Sequence, residues 1–145
     1  MSDLYEFTMA VDLRDDLPNS ELAELRWHLG LGPQPRQLTA VPVVDDMPCQ
    51  LLDGRGPACR VGGALFSTLV SREEISRGGW ALTTRQEVHP DDFDDIGRLL
   101  VWLAARVHDT HVEYDGSVRL GFVRFLEDDR AHPLKVRDGE VGWPA

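Results

Sequence analysis

The sequence predicts a single α+β domain, and three observations support this fold class. The 145 residues are a usual length for one domain and are enough to bury a sizeable core. Hydrophobic residues make up 42% of the chain, which is ordinary for a globular protein and argues against disorder. Segments with the two-residue apolar period of a strand occur along the chain together with segments at helical spacing. We therefore treat residues 1–145 as one α+β domain.

The first two predicted elements are a strand and a helix. Apolar residues alternate with polar ones over Tyr5–Leu13, which is the pattern of a half-buried strand. Asn19 or Ser20 would then cap a helix of about ten residues that Gly30 ends. The apolar side of this helix carries Leu22, Leu25 and Leu29.

Two further strands are predicted in the middle of the chain, after a Pro-rich insertion. Residues 33–57 contain five of the nine prolines, which disfavours a central strand and allows at best an edge strand over Leu38–Val44. A strand is predicted over Cys59–Val70, where Gly62-Gly63 indicates a bulge or a close backbone approach. Ser71-Arg72-Glu73-Glu74 fits a capping box and predicts one helical turn before the next strand, Trp80–Val88.

The last third of the chain predicts a helix, a strand and a hairpin. His89-Pro90 and the aspartates after it form a helix start, and the helix is predicted to reach Val107. A strand is predicted over Val118–Leu126. The pair Asp138-Gly139 is a tight-turn signal and predicts that Leu134–Arg137 pairs with Glu140–Trp143.

The order of the strong elements resembles that of the ferredoxin-like fold. Strand, helix, strand, strand, helix, strand is the βαββαβ arrangement, an antiparallel sheet with two helices on one face. The Pro-rich insertion and the C-terminal hairpin would be additions to this core. The fold hosts many unrelated functions, so the resemblance implies no particular one.

Charge and targeting signals limit the partners and the compartment. The 25 acidic and 15 basic residues give a formal net charge of −10, which disfavours nucleic acid and membrane surfaces as partners. The N-terminus lacks the basic and apolar regions of a signal peptide, and no apolar stretch is long enough to span a bilayer. The two cysteines, Cys49 and Cys59, are expected to be reduced thiols, at least one of them buried. We expect a cytoplasmic protein, and the preference for Arg over Lys is typical of a GC-rich bacterial genome.

One candidate ligand site lies at the end of the predicted strand Trp80–Val88. Arg85 and Glu87 share one face of this strand, and His89 follows on the same side. Arg85 would hold a ligand carboxylate and His89 would transfer a proton, with Trp80 as a third lining residue. The alternative is an ordinary polar sheet face with His89 as a helix cap.

A candidate protein interface comes from exposed apolar side chains. Trp102 lies opposite the core stripe of the second helix, between Arg98 and Arg106, and is predicted either to contact a partner or to be covered by the chain itself. The second face of the sheet also carries more apolar residues than a solvated face needs, namely Val61, Leu65, Leu69, Val123 and Phe125. The Pro-rich segment, the C-terminal hairpin with Trp143 or a second subunit would cover it.

No cofactor, metal or catalytic residue is predicted. His108 and His111 lie three apart near acidic residues, but the stretch is better interpreted as a solvated loop than as a zinc or iron site. Nucleotide-binding and hydrolase motifs are absent from the sequence. Our first hypothesis is therefore a non-catalytic cytoplasmic protein-interaction domain that forms a homodimer. The alternative is a small-molecule-binding protein or a cofactor-independent enzyme of the dimeric α+β barrel type.

Overall fold

The computed structural model describes residues 3–40, 48–73 and 78–144, and it contains seven strands and two α-helices in these ranges. The helices are α1 (Asn19–His28) and α2 (Phe93–Ala104). The strands are β1 (Tyr5–Leu13), β2 (Gly56–Pro57), β3 (Ala64–Ser71), β4 (Trp80–Val88), β5 (Val118–Phe125), β6 (His132–Arg137) and β7 (Glu140–Val141). Short 3-10 helices cover Pro90–Asp92 and Asp109–His111.

The strands form one antiparallel sheet in the order β2-β3-β4-β1-β5-β6-β7. The predicted α+β class is confirmed. The sheet differs from the four-stranded sheet of the ferredoxin-like prediction, because the two segments treated as additions continue it at both edges. The Pro-rich insertion supplies β2, which pairs with β3, and the C-terminal hairpin pairs with β5 through β6.

One face of the sheet and both helices enclose the core. The alternating residues Phe7, Met9, Val11 and Leu13 of β1 are each at most 4% exposed. They belong to one apolar cluster with Leu25 of α1, with Leu29 directly after α1, and with Ile96, Leu99, Leu100 and Leu103 of α2. Because α1 and α2 pack on the same buried side chains, both helices cover the same face.

The Pro-rich insertion packs on α1 rather than crossing the sheet. The Leu52 amide donates to the His28 carbonyl over 2.9 Å, and Gln50 Nε2 donates to the Trp27 carbonyl over 2.9 Å. Leu52 itself is fully buried in the core cluster. This cover explains why α1 buries side chains around much of its surface, including Glu24, Trp27 and His28.

Several predicted boundaries need correction. The strand predicted over Cys59–Val70 begins only at Ala64, because Gly62 and Gly63 have φ of +84° and +68° and form a turn rather than a bulge. The Ala58 amide closes this turn by donating to the Gly63 carbonyl over 2.8 Å. The second helix ends at Ala104, three residues before the predicted Val107, which instead bridges to Leu13.

The predicted C-terminal hairpin is present. Asp138 and Gly139 have φ of 52° and 76°, the left-handed pair that a tight hairpin turn requires. The hairpin is shorter than predicted, since β7 ends at Val141.

Two predictions extend beyond the described residues. The edge strand proposed over Leu38–Val44 lies partly in residues 41–47, and its described part is not a strand. The helical turn proposed over Ser71–Glu74 likewise includes Glu74, which lies outside the described residues.

Cys49 and Cys59 are both exposed, so neither is the buried thiol expected from the sequence. No helix in the described ranges has the length and apolar character needed to cross a membrane.

Candidate functional site

The sheet face that carries no helix is the candidate site, and we call it the open face. Because successive strand residues point to opposite sides, the residues between the buried ones of β3, β4, β1 and β5 all lie there. Its members are Phe66, Thr68, Val70, Ala81, Thr83, Arg85, Glu87, Glu6, Thr8, Ala10, Asp12, Arg119, Phe122 and Arg124.

Two exposed phenylalanine rings border a groove in the open face. Phe66 and Phe122 are each 42% exposed, and Val70 is 57% exposed. The strand pairings Phe66↔Arg85, Arg85↔Thr8 and Thr8↔Phe122 place the two rings in one row across four strands. Three strand spacings separate them, which is about 14 Å. A cavity of about 390 Å³ lies at this row of the sheet, and its lining includes Arg85 and the small side chains of Thr8, Ala10 and Thr83.

The apolar residues expected on this face from the sequence lie on the other one. Val123 is 1% exposed in the core, Leu69 packs against the core, and the Phe125 ring contacts Tyr5 with centroids 5.2 Å apart. Val61 is buried in the loop before β3, and Leu65 shares the core-facing side of β3 with Leu69. The prediction that these five residues form an apolar excess on the second face was therefore wrong, and the exposed apolar side chains found there are Phe66, Val70 and Phe122.

A buried polar network explains this reversal. Ser67, Thr84 and Gln86 face the helices although they are polar, and each is at most 9% exposed. The Ser67 and Thr84 hydroxyls lie 2.6 Å apart, and Gln86 Oε1 accepts from the Gly54 amide over 2.8 Å. These partners satisfy the buried polar groups, so the core side of β3 and β4 does not need to be apolar.

Arg85 is engaged by another residue of the open face. Its Nε donates to Glu6 Oε2 over 2.8 Å, and its Nη1 donates to the Ala64 carbonyl over 2.9 Å. Arg124 Nε donates to the second Glu6 oxygen over 3.1 Å. Partial burial opposes ionisation of Glu6, but the hydrogen bonds and charges of the two arginines outweigh it and lower the pKa of its carboxyl. The Arg85 guanidinium thus binds a carboxylate of the chain itself, whereas the sequence predicts that it binds the carboxylate of a ligand.

Glu87 fixes the loop that leads into β3. Its carboxylate accepts from the backbone amides of Cys59, Arg60 and Val61 over 2.9, 2.6 and 2.9 Å. Burial raises the pKa of Glu87, but these three amides outweigh it and hold the pKa below its usual value. Three consecutive amides around one carboxylate form an anion-binding nest that the chain fills itself.

The three predicted ligand residues do not meet at one place. His89 Nδ1 accepts from the Asp91 amide over 3.1 Å and so caps the turn before α2. Trp80 lies at the opposite end of β4 and on the helix side, where the Arg26 guanidinium carbon is 5.2 Å from its ring centroid. Arg85 is on the open face between them. The structure therefore does not bring Arg85, His89 and Trp80 into one cluster.

The predicted interface residues lie on the outer side of α2. Trp102 is half-buried, and the Arg106 guanidinium carbon lies 4.1 Å from its ring centroid. Arg106 Nε and Nη2 also donate to the two Glu21 oxygens over 2.9 and 2.8 Å. Arg98 Nη1 pairs with Asp95 over 2.8 Å. Both arginines thus bind carboxylates of the chain itself, and Trp102 borders a cleft of about 630 Å³ that also contains Trp143 and Ala40.

His108 and His111 each accept a hydrogen bond from a backbone amide. His111 Nε2 accepts from the Asp12 amide over 2.9 Å, so the neutral ring carries its proton on Nδ1. Burial lowers the pKa of His111, although the nearby Asp12 carboxylate opposes this. His108 Nδ1 accepts from the Thr110 amide over 3.2 Å. Within residues 3–40, 48–73 and 78–144, no group of three or more His, Cys, Asp or Glu side chains could hold a metal ion.

A buried histidine on α1 was not singled out as a titrating group from the sequence. His28 is 1% exposed, and neither ring nitrogen has a hydrogen-bond partner in the described part of the chain. Burial lowers the pKa of His28, with only partial opposition from Glu24 and Asp53. Glu24 is 2% exposed and accepts from the Thr39 amide over 2.7 Å and also from the Ala40 amide. Both side chains lie at the junction between α1 and the insertion.

Comparison with known proteins provides no family assignment. No protein-family model, no curated protein and no solved structure matches the chain.

Proposed function

We propose that this protein is a non-catalytic, cytoplasmic interaction domain that forms a homodimer through its open face. The observation that supports the proposal is the exposure of Phe66, Val70 and Phe122 on a regular sheet face. Exposed apolar side chains grouped on one face are typical of interaction sites. A second copy of the sheet is a suitable cover, because two sheets pack face to face through such side chains.

The charge distribution favours a second copy of the chain as the partner at the open face over a partner of another kind. Arg85, Arg119 and Arg124 on the open face are matched by Glu6, Asp12 and Glu87, so the face has no net charge. The whole formal charge of −10 therefore lies on the rest of the molecule. Two copies repel each other at long range, and they repel least when the neutral faces meet. A strongly basic partner would instead be attracted to the acidic remainder.

The exposed rings supply a measurable share of the dimer's stability. An aromatic side chain with about 200 Å² of area that is 42% exposed leaves about 80 Å² to bury, which corresponds to about 2 kcal/mol per ring. Replacing Phe122 by Ala keeps part of that area and loses about 1.5 kcal/mol per ring. Each dimer contains two copies of Phe122, so the loss is about 3 kcal/mol, or roughly 100-fold in the dissociation constant.

Sedimentation equilibrium of Phe122→Ala tests the proposal, with Leu31→Ala as the matched control. Leu31 is exposed to a similar degree, 38%, but follows α1 on the helix side of the molecule. The proposal predicts that Phe122→Ala weakens the dimer roughly 100-fold and that Leu31→Ala leaves it unchanged. Equal dissociation constants for the two variants, or a monomeric parent protein, would reject the open face as the interface.

A further inference from the structure

We infer that the groove between Phe66 and Phe122 binds a small amphipathic anion, an apolar ring system with one carboxylate, and that Arg119 and His111 hold the carboxylate. The inference rests on the proposed function in one respect: the second copy would close the groove. The groove itself belongs to a single chain, and its volume of about 390 Å³ is within the range of small-molecule sites.

Arg119 is a cation with unused hydrogen-bonding capacity. It lines the groove and is 57% exposed at its side chain. Within the described ranges its ion pair is a loose contact, 3.8 Å from its Nε to Glu113 Oε1. The Arg119 guanidinium therefore has N–H groups available for a ligand carboxylate. The Arg85 guanidinium, in contrast, is already bonded to Glu6.

His111 provides a second donor at the same groove. It lines the groove together with Arg119, and the Asp12 amide fixes its ring by donating to Nε2. The proton must then lie on Nδ1, which has no hydrogen-bond partner among the described residues. The ring thus presents a donor and no acceptor.

The carboxylates around the groove are already in use. Glu6 accepts from both Arg85 and Arg124. Asp12, the acidic side chain near His111, lies 3.3 Å from the Arg72 guanidinium. The remaining polar side chains of the groove wall are the hydroxyls of Thr8 and Thr83. A ligand must therefore bring the acceptors, and the two phenylalanine rings favour an apolar, flat body.

The test compares 2-naphthoate with uncharged 2-naphthalenemethanol, which has the same ring system. Equilibrium dialysis should show that the parent protein binds the acid at least tenfold more tightly than the alcohol. Arg119→Gln should remove this preference. Arg137→Gln is the matched control, because Arg137 is also an exposed arginine with a loose ion pair, 3.7 Å to Asp115, but does not line the groove. It should keep the preference.

The experiment distinguishes failure of the ligand site from failure of the homodimer. Sedimentation with detection at the naphthalene absorbance shows which species carries the ligand. A monomer that binds the acid with Arg119-dependent preference supports the inference and rejects the dimer. A dimer that shows no preference for the acid, or the same preference in Arg119→Gln, overturns the inference and leaves the dimer standing.

Discussion

The buried His28 should make the protein lose stability as the pH falls below about 6.5. In the folded state the pKa of His28 is lowered by burial, whereas in the unfolded chain it has its ordinary value of about 6.5. Between the lowered pKa and about 6.5, the unfolded state binds one proton more than the folded state. The free energy of unfolding therefore falls with decreasing pH, by up to about 1.4 kcal/mol per pH unit for this residue.

The acidic groups act in a lower pH window. Glu6, Glu21 and Glu87 all have pKa values lowered below 4.5 in the folded state. The stability that they contribute is complete above about 4.5 and is lost only as the pH falls through their folded values. His111 has a lowered pKa as well and adds to the slope below about pH 6.5. Measurements between about pH 5.5 and 7.5 thus report on the two histidines.

Urea unfolding of the parent protein, His28→Leu and His132→Gln across this range is the assay. Leucine suits the buried site and does not titrate, so His28→Leu should show a shallower decline of stability below about pH 6.5, with a slope smaller by up to about 1.4 kcal/mol per pH unit. His132 is exposed, and His132→Gln should keep the parent slope. If His28→Leu kept the parent slope, His28 would not be buried in its neutral form in the folded protein.

Two further substitutions test the packing that supports the sheet and the insertion. Glu24→Gln should lower the free energy of unfolding by about 2 kcal/mol, because the charge-assisted bonds to Thr39 and Ala40 are lost. Glu113→Gln, at a half-exposed site, should change the free energy of unfolding little. Urea unfolding at neutral pH measures both variants. Gly121→Ala should lower the melting temperature by several degrees, since its Cβ would collide with the Thr8 carbonyl between β1 and β5, and Gly142→Ala, which has open space, should leave it unchanged. A Gly121→Ala melting temperature equal to that of the parent would contradict the pairing of β1 with β5 in this register.

Local patterns in the sequence were sufficient for the elements whose cause is local. The strand β1 follows from strict alternation over Tyr5–Leu13, and the last hairpin follows from the left-handed pair Asp138-Gly139. His89-Pro90 starts the 3-10 helix Pro90–Asp92 that leads into α2, and His89 caps this short helix. In each case residues adjacent in the chain determine the conformation.

Contacts between distant segments determine the features that local sequence patterns did not predict. The polar side chain of Ser67 faces the core, and only its contact with Thr84 and the approach of Gly54 to Gln86 make it part of a satisfied buried network. The face of β3 was therefore assigned wrongly. Gly62-Gly63 is compatible with a bulge or a turn, and only the position of Ala58 distinguishes the two.

The open face and the buried histidine share this origin. The groove exists because Phe66 and Phe122 come from strands far apart in the sequence that lie in one row of the sheet. His28 is buried because the insertion packs over α1, as the bond from Leu52 to its carbonyl shows. Neither arrangement has a local signature.

Sedimentation equilibrium of the parent protein at low and high salt tests the homodimer most directly. At about 50 mM NaCl the charge of −10 on each copy opposes association, and at about 500 mM this repulsion is screened over a few ångströms. Because the open face carries no net charge, association through it should tighten with salt, and we predict a dimer with a lower dissociation constant at high salt. A monomer under both conditions, or a dimer that weakens as salt is added, would contradict association through the open face.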